Sequence, residues 1–262
     1  MRDPLTGYIR LEQAPASRFS KEPRELAIYL PPGYDSHAQV RYSVLYLHDG
    51  QNLFDPATAF LGNAWGLNAL ADELIQDGRI EPLIIVGIYN AGEKRLAEYT
   101  HVRDRRGTGG RARAYGRFIV EDLKPFIDRE FRTLPDCSNT GLGGSSLGGL
   151  VSLYLGLRYL RTFGKLIVMS PSVWWANRAI LEDVHRVRRK SNQKIWLDIG
   201  TCEGENPKAC LDNVVALRNA LIAKGWQLGN DLAFCRDQGA THDEKAWGRR
   251  MREALQFLFP PA

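Results

Sequence analysis

The chain has 262 residues, of which 44% are hydrophobic and 25% charged, with 25 glycines and 13 prolines. That profile belongs to a folded globular protein and excludes a collagen, a coiled coil and a disordered chain. Thirty-five basic against 30 acidic residues leave a net charge of +5, which permits an anionic substrate but does not imply nucleic acid.

No apolar run approaches the roughly 20 residues of a membrane helix. Residues 1–7 lack the apolar core of a secretion signal, so a cytoplasmic protein is expected. Cys137, Cys202, Cys210 and Cys235 are too few for a disulfide framework and are expected as reduced thiols. In an oxidising compartment Cys202 and Cys210 are the pair close enough in sequence to bridge. There is no Cys-x-x-Cys and no histidine pair at ligand spacing, so no metal site and no other cofactor are expected.

The predicted elements alternate along the chain. A strand is expected over 24–30, closed by Pro31-Pro32-Gly33, and an apolar strand over 42–47, ending at His48-Asp49-Gly50. A helix follows over 65–77 and another continuous apolar strand over 83–89. Residues 101–113 read as a loop, with Arg103, Arg105, Arg106, Arg111 and Arg113 among Gly107, Gly109 and Gly110. This loop is either a solvated, mobile surface segment or a flap over a cleft that attracts anions. Residues 115–130 are helical, with Phe118, Ile119, Leu123, Phe126 and Ile127 on one face. Then come strand 140–144, helix 146–159, strand 165–169, helix 177–190, strand 194–199, helix 211–223, strand 231–235 and helix 243–259. Apolar strands alternating with helices predict one α/β domain over 1–262, with a mostly parallel sheet covered on both faces. Ligand sites of such sheets lie at the carboxyl ends of the strands, where the polar motifs of this chain fall.

The strongest motif is Gly143-Gly144-Ser145-Ser146-Leu147-Gly148-Gly149. The pattern G-x-S-x-G fits only the frame Gly144, Ser146, Gly148, because Leu147 stands where a frame on Ser145 needs glycine. A sharp strand-to-helix turn there presents the Ser146 hydroxyl above the sheet and aims the Leu147 N–H at a reacting oxygen. A serine hydroxyl needs a base. Of the five histidines, only His185 and His242 follow Ser146. His185 lies in a basic helix, whereas His242 follows the last strand, so His242 is the candidate base. Glu203, in the loop after strand 194–199, is the candidate carboxylate; Asp198, Glu205 and Asp237 are its rivals. A second oxyanion donor is expected after the central strand, from the N–H of Gln51 or of Gly50 or Asn52. His48 and Asp49 are expected to orient that loop. Trp174 and Trp175, at another strand end, either line an acyl or aromatic pocket or belong to the core.

Together these segments resemble the putative-esterase family of α/β-hydrolases, which includes enterochelin-esterase-like proteins, feruloyl and acetyl-xylan esterases, S-formylglutathione hydrolases and mycolyltransferases. The resemblance rests on Leu45-Tyr46-Leu47-His48-Asp49-Gly50-Gln51-Asn52-Leu53-Phe54, on Arg95-Leu96-Ala97-Glu98-Tyr99-Thr100, on Glu121-Asp122-Leu123-Lys124-Pro125-Phe126-Ile127-Asp128, on the serine turn, on Ser170-Pro171-Ser172-Val173-Trp174-Trp175 and on Gly200-Thr201-Cys202-Glu203. It implies an α/β-hydrolase fold with a sheet of about eight strands. It also implies a triad of Ser146, Glu203 and His242, and an oxyanion hole at Leu147 and Gln51. Asn52, Trp174 and Trp175 are the candidate substrate contacts. The implied activity is hydrolysis of small or medium carboxylic esters, of feruloyl, acetyl or siderophore type, through an acyl-enzyme. The implied partner is a small-molecule ester, with no nucleic acid and no membrane. An acyltransferase using the same acyl-enzyme and a catalytically idle binding module are the alternatives. The arginine-rich loop is not part of the family pattern.

Overall fold

A computed structural model describes residues 6–19, 23–188 and 190–261. The leader reading rests partly on residues 1–5, and the helix expected over 177–190 includes Arg189; these positions lie outside the described residues.

The eight strands are β1 (Tyr8–Gln13), β2 (Glu25–Leu30), β3 (Ser43–His48), β4 (Leu83–Ile88), β5 (Thr140–Ser145), β6 (Lys165–Met169), β7 (Lys194–Gly200) and β8 (Leu232–Asp237). They form one sheet in the order β1-β2-β4-β3-β5-β6-β7-β8. From β4 to β8 every neighbouring pair is parallel, while β2 pairs antiparallel with both β1 and β4. The central strands β3, β4 and β5 are buried at every residue, as expected for a parallel sheet covered on both sides. β1 has no counterpart among the sequence expectations. Its sequence Tyr-Ile-Arg-Leu-Glu-Gln mixes charge with apolar residues because it is a half-exposed edge strand.

The chain runs outward from β3 to β4 and then crosses back to β5 on the other side of β3. Helices α1 (Leu67–Gln76) and α8 (Glu244–Leu258) pack on one face of the sheet. The other face is covered by α3 (Ala112–Arg117), α4 (Lys124–Glu130), α5 (Leu147–Arg158), α6 (Trp175–His185) and α7 (Pro207–Ala223); the short α2 (Arg95–Glu98) precedes α3. So β3 leads to α1 on one face and β5 leads to α5 on the other. The connections diverge between these strands, which opens a crevice at their carboxyl ends. The register places Leu47 opposite Gly143, so the loop after β3 stands beside the turn after β5.

Two helices depart from expectation. The helix over 115–130 begins at Ala112 and contains a π-turn over Phe118–Leu123. Pro125 lies in the turn that follows; it offers no N–H and its ring crowds the carbonyl four residues back, and a wider turn relieves both. Ala176, Asn177 and Arg178, at the start of α6, have left-handed φ values of 45°, 58° and 64°, so the regular helix begins after them. Two helix starts are capped by side chains: Asn206 accepts the Ala209 N–H at 3.1 Å, and Asp243 accepts that of Ala246 at 2.9 Å. All four cysteines are free thiols. Among the described residues no helix is long and apolar enough to cross a membrane, and no cluster of metal-ligating side chains is present.

Candidate active site

Ser146 stands between β5 and α5 with φ 58° and ψ −121°, a conformation that costs a non-glycine residue strain and persists only where surroundings enforce it. Its N–H donates to the Met169 carbonyl at 3.0 Å, and its carbonyl accepts from Ser172 N–H at 3.1 Å and Leu150 N–H at 3.1 Å. Gly144 packs closely here: a Cβ would lie 3.1 Å from the Gly148 carbonyl carbon and 3.2 Å from His48 Cβ, so a side chain at 144 would push its neighbours back.

Three side chains from distant segments meet at this turn. His242 Nε2 lies 3.0 Å from Ser146 Oγ, and His242 Nδ1 lies 2.7 Å from Glu203 Oε2. Glu203 can only accept, so Nδ1 carries the proton toward it and Nε2 is left to accept from the serine hydroxyl. The Glu203 side chain is 2% exposed, whereas His242 is 37% exposed: the carboxylate is enclosed and the imidazole faces the cleft. The Trp247 ring meets His242 edge-on at 4.8 Å and 84°. The two loops are also tied together, Cys202 N–H to Ala240 carbonyl at 2.9 Å and Gly239 N–H to Thr201 Oγ1 at 2.8 Å. Ser172 Oγ, buried, lies 3.3 Å from Ser146 Oγ.

Beneath Glu203 is a polar layer that sequence reasoning missed. Glu203 Oε1 accepts from the Gly200 N–H at 2.6 Å and from the Ser170 hydroxyl at 2.6 Å. Ser170 Oγ in turn accepts from Trp247 Nε1 at 3.0 Å and Arg250 Nη2 at 2.7 Å. Arg250 Nη2 also lies 3.1 Å from Asp198 Oδ1 and 3.5 Å from Glu203 Oε1, and Nη1 lies 3.5 Å from Asp237 Oδ2. Asp198 is thus a supporting residue below Glu203. It accepts from Trp196 Nε1 at 2.8 Å and from the Ser170 N–H at 3.1 Å. Burial pushes its carboxyl up to about 6, Arg250 notwithstanding. A signal for Arg250 existed: it falls on the same stripe of α8 as Trp247, Met251 and Ala254, all buried.

On the other side of Ser146, the Gly50–Asn52 turn follows a left-handed Asp49 (φ 57°). Among the described residues no protein acceptor takes the N–H of Gln51 or of Leu147; the latter is the first residue of α5, where helix donors are unfilled. Asp49 holds this loop through Arg95, with Oδ1 to Nε at 2.6 Å and Oδ2 to Nη2 at 2.7 Å, and through Asn90 Nδ2 at 2.7 Å. His48 is fully buried with Nδ1 2.9 Å from the Tyr115 hydroxyl, and burial drives its pKa down to about 3. Asp49 thus tethers the loop, while His48 is bonded to Tyr115 in the packing beneath it. The Asn52 amide is engaged within the protein: Oδ1 accepts the Phe60 N–H at 3.0 Å and Nδ2 donates to Glu244 at 3.2 Å.

The two tryptophans part company. Trp174 is 56% exposed and, with Pro171, Ile199, Cys210, Asn213 and His242, lines a pocket of about 160 Å³. Trp175 is buried, and its indole N–H donates to the Val102 carbonyl at 2.9 Å. His185 is exposed on α6, far in character from a base. A larger cavity, of about 1040 Å³, opens at the amino ends of β5, β6 and β7, beside Cys137, Gly164 and Lys194, and no histidine lines it.

Comparison with known proteins places this site in context. The Putative esterase family matches residues 17–258. The uncharacterized protein YbbA of Bacillus subtilis is 28% identical over 247 residues, covering 90% of this chain and 92% of that protein. An endo-1,4-beta-xylanase/feruloyl esterase of Xylanibacter ruminicola is 27% identical over 88% of this chain and 29% of its own length. The iron(III) salmochelin esterase of Escherichia coli is 33% identical over 58% of this chain and 33% of its own length. Among solved structures, an IroE-like serine hydrolase from Shewanella oneidensis superposes with a TM-score of 0.76 at 25% identity, covering 96% of this chain and 80% of that one. The sheet order, the crevice at β3 and β5 and the match along nearly the whole chain agree: this chain belongs to the Putative esterase family and is an esterase of the α/β-hydrolase fold.

Proposed function

We propose that the chain is a serine carboxylic-ester hydrolase that works through an acyl-enzyme on Ser146. The observation that carries this reading is the line Ser146 Oγ to His242 Nε2 at 3.0 Å and His242 Nδ1 to Glu203 at 2.7 Å, set on a strained turn. Ser146 Oγ attacks the ester carbonyl carbon as its proton passes to His242 Nε2. The oxygen of the tetrahedral intermediate takes the N–H groups of Leu147 and Gln51. The carbon–oxygen bond to the alcohol then breaks, and the alcohol leaves with the proton from His242. A water molecule gives a proton to His242 and attacks the acyl-enzyme, and the acid is released as Ser146 regains its proton. Glu203 fixes the imidazole tautomer and stabilises the imidazolium, and Ser170 and Arg250 hold Glu203 in place.

The pocket beside His242 supports an aromatic or short acyl or alcohol group. Its volume of about 160 Å³ is close to the roughly 150 Å³ that accommodates a benzene ring, and Trp174, Pro171 and Ile199 give it apolar walls. Esters of feruloyl or siderophore type, suggested by the named relatives, present such rings.

The test is hydrolysis of 4-nitrophenyl acetate by wild type and Ser146→Ala, with an organophosphate probe located by peptide mass spectrometry. Ser146→Ala should lower kcat by about 10⁴-fold or more, since loss of one triad member disables the unit. Label on a residue other than Ser146, or wild-type turnover in Ser146→Ala, refutes the mechanism.

A further inference from the structure

The arginine-bearing loop has no part in that chemistry, yet it is built rather than loose. Arg103 and Gly109 form an antiparallel bridge. Asp104 N–H donates to the Thr108 carbonyl at 2.9 Å, and Gly107 N–H to the Asp104 carbonyl at 3.1 Å. The Asp104 carboxylate is turned into the loop, where Oδ1 accepts the N–H groups of Arg106 at 2.9 Å and Thr108 at 2.8 Å. Gly110 N–H donates to Thr100 Oγ1 at 3.0 Å. Gly109 (φ 90°) sits so close beneath that a Cβ would lie 2.8 Å from Trp175 Cζ2.

This scaffold leaves Arg103, Arg105 and Arg106 exposed. With Asp104, Ala176 and Asn177 they line a groove of about 630 Å³. The segment 174–177 runs from the pocket beside His242 to the groove: Trp174 lines the pocket, Trp175 carries the loop through Val102, and Ala176 and Asn177 line the groove. Three left-handed residues in succession, Ala176 to Arg178, form the turn at the groove wall. Residues with a Cβ avoid that conformation, and runs of it persist where surroundings enforce a shape, as they do at ligand clamps.

We propose that this groove is a subsite for an anionic group, a carboxylate, carried by the ester substrate at a distance from the scissile bond. The proposal rests on the Ser146 reading and deepens it by naming the charge of the substrate. Guanidinium groups are permanently charged and match a carboxylate in two-point fashion. One exposed ion pair adds little, but three cations on a pre-formed loop set up a local positive field that raises the concentration of an anion and orients it.

The experiment compares mono-4-nitrophenyl esters of glutaric, suberic and dodecanedioic acids with the corresponding neutral methyl esters. The proteins are wild type and Arg103→Gln/Arg105→Gln/Arg106→Gln, at low and at 0.5 M added salt (a concentration at which the Debye length is only about 4 Å). For at least one chain length the wild type should favour the acid over its methyl ester by about tenfold in kcat/KM, mostly through KM. The triple variant should lose that preference and keep its neutral-ester turnover within about twofold, and added salt should abolish the preference in the wild type without any mutation. Equal preference in wild type and variant, or none at any chain length, overturns the subsite while leaving the esterase intact. Inactivity of the wild type toward every ester overturns the reading on which both stand.

Discussion

Replacing Arg250 with methionine tests whether the layer under Glu203 is an electrostatic support. The Arg250 side chain is 3% exposed and Asp198 is 0% exposed, and Glu203 is 2% exposed. One buried cation therefore faces two buried carboxylates. Arg250→Met keeps most of the volume and removes the charge, which leaves both carboxylates uncompensated. Breaking a buried pair in this way costs about 3–5 kcal/mol, or a fall in Tm of about 10 °C for a chain of this size. The loss should also depend on pH. Burial already pushes Asp198 up to about 6, against about 3.9 in an unfolded chain. A carboxyl whose folded pKa is raised holds its proton in the native state and not in the unfolded one, so stability falls as pH rises through that window. Without Arg250 the folded pKa of Asp198 rises further and the window extends upward. The wild type itself loses about 0.4 kcal/mol between pH 6 and pH 8, so the gap between variant and wild type should widen over that range by as much as about 2.3 kcal/mol. Urea unfolding followed by tryptophan fluorescence at both pH values reads the gap directly, and Asp198→Asn in the Arg250→Met background should restore much of the loss. A destabilisation below about 1 kcal/mol, a gap that does not change with pH, or no recovery on adding Asp198→Asn would show that Arg250 is no more than packing.

Two further outcomes follow from burial. Trp175→Ala should lower stability by about 3–5 kcal/mol, while Trp174→Ala, at an exposed position, should change it by less than about 0.5 kcal/mol and instead raise KM for aryl esters; denaturation curves with steady-state kinetics separate the two. His48, held to about 3 by burial, stays neutral in the native state while the unfolded chain takes up a proton below about 6.5. Its contribution is present above that value and is lost as pH falls, amounting to about 2 kcal/mol by pH 5. His48→Gln should remove this component from the stability–pH curve measured between pH 7 and 5, and an unchanged curve would contradict it.

Continuous apolar runs such as Leu83–Ile88 announced the parallel strands because they are buried on both faces. β1 is not read from the sequence: Ile9-Arg10-Leu11-Glu12 alternates, but the run is short and carries two charges at a half-exposed edge, where even Leu11 faces solvent. The left-handed start of α6 was hidden as well: Ala176 and Arg178 are good helix formers, and local propensity gives no sign that they leave the helical region. Ser146, Glu203 and His242 were legible as a set because turn glycines and chain order constrain where such side chains appear. Arg250 stands between Arg249 and Arg252 in a run that reads as a solvated face, and only its place on the stripe of Trp247, Met251 and Ala254 marks it out. Burial separates it from Arg249, which is 64% exposed. Asn52 and Trp175 show the limit of motif reading: the same short segment supplies one side chain to the cleft and another to the protein's own framework.

Ser146, Glu203 and His242 stand after β5, β7 and β8, whereas the arginine stretch belongs to the connection between β4 and β5. It is anchored at both ends: the Trp175 indole N–H donates to the Val102 carbonyl, Gly110 N–H to Thr100 Oγ1, Arg111 N–H to the Ala97 carbonyl and Ala112 N–H to the Thr100 carbonyl, while the His101 ring stacks on Tyr154 beside Asp183. Arg103, Arg105 and Arg106 are exposed and take no part in these anchors, so the loop can be recharged at those three positions while its frame is kept. Differences in what such enzymes accept would then accumulate in this insertion first, and a chimera carrying a neutral version of it is the natural starting point for re-targeting the catalyst.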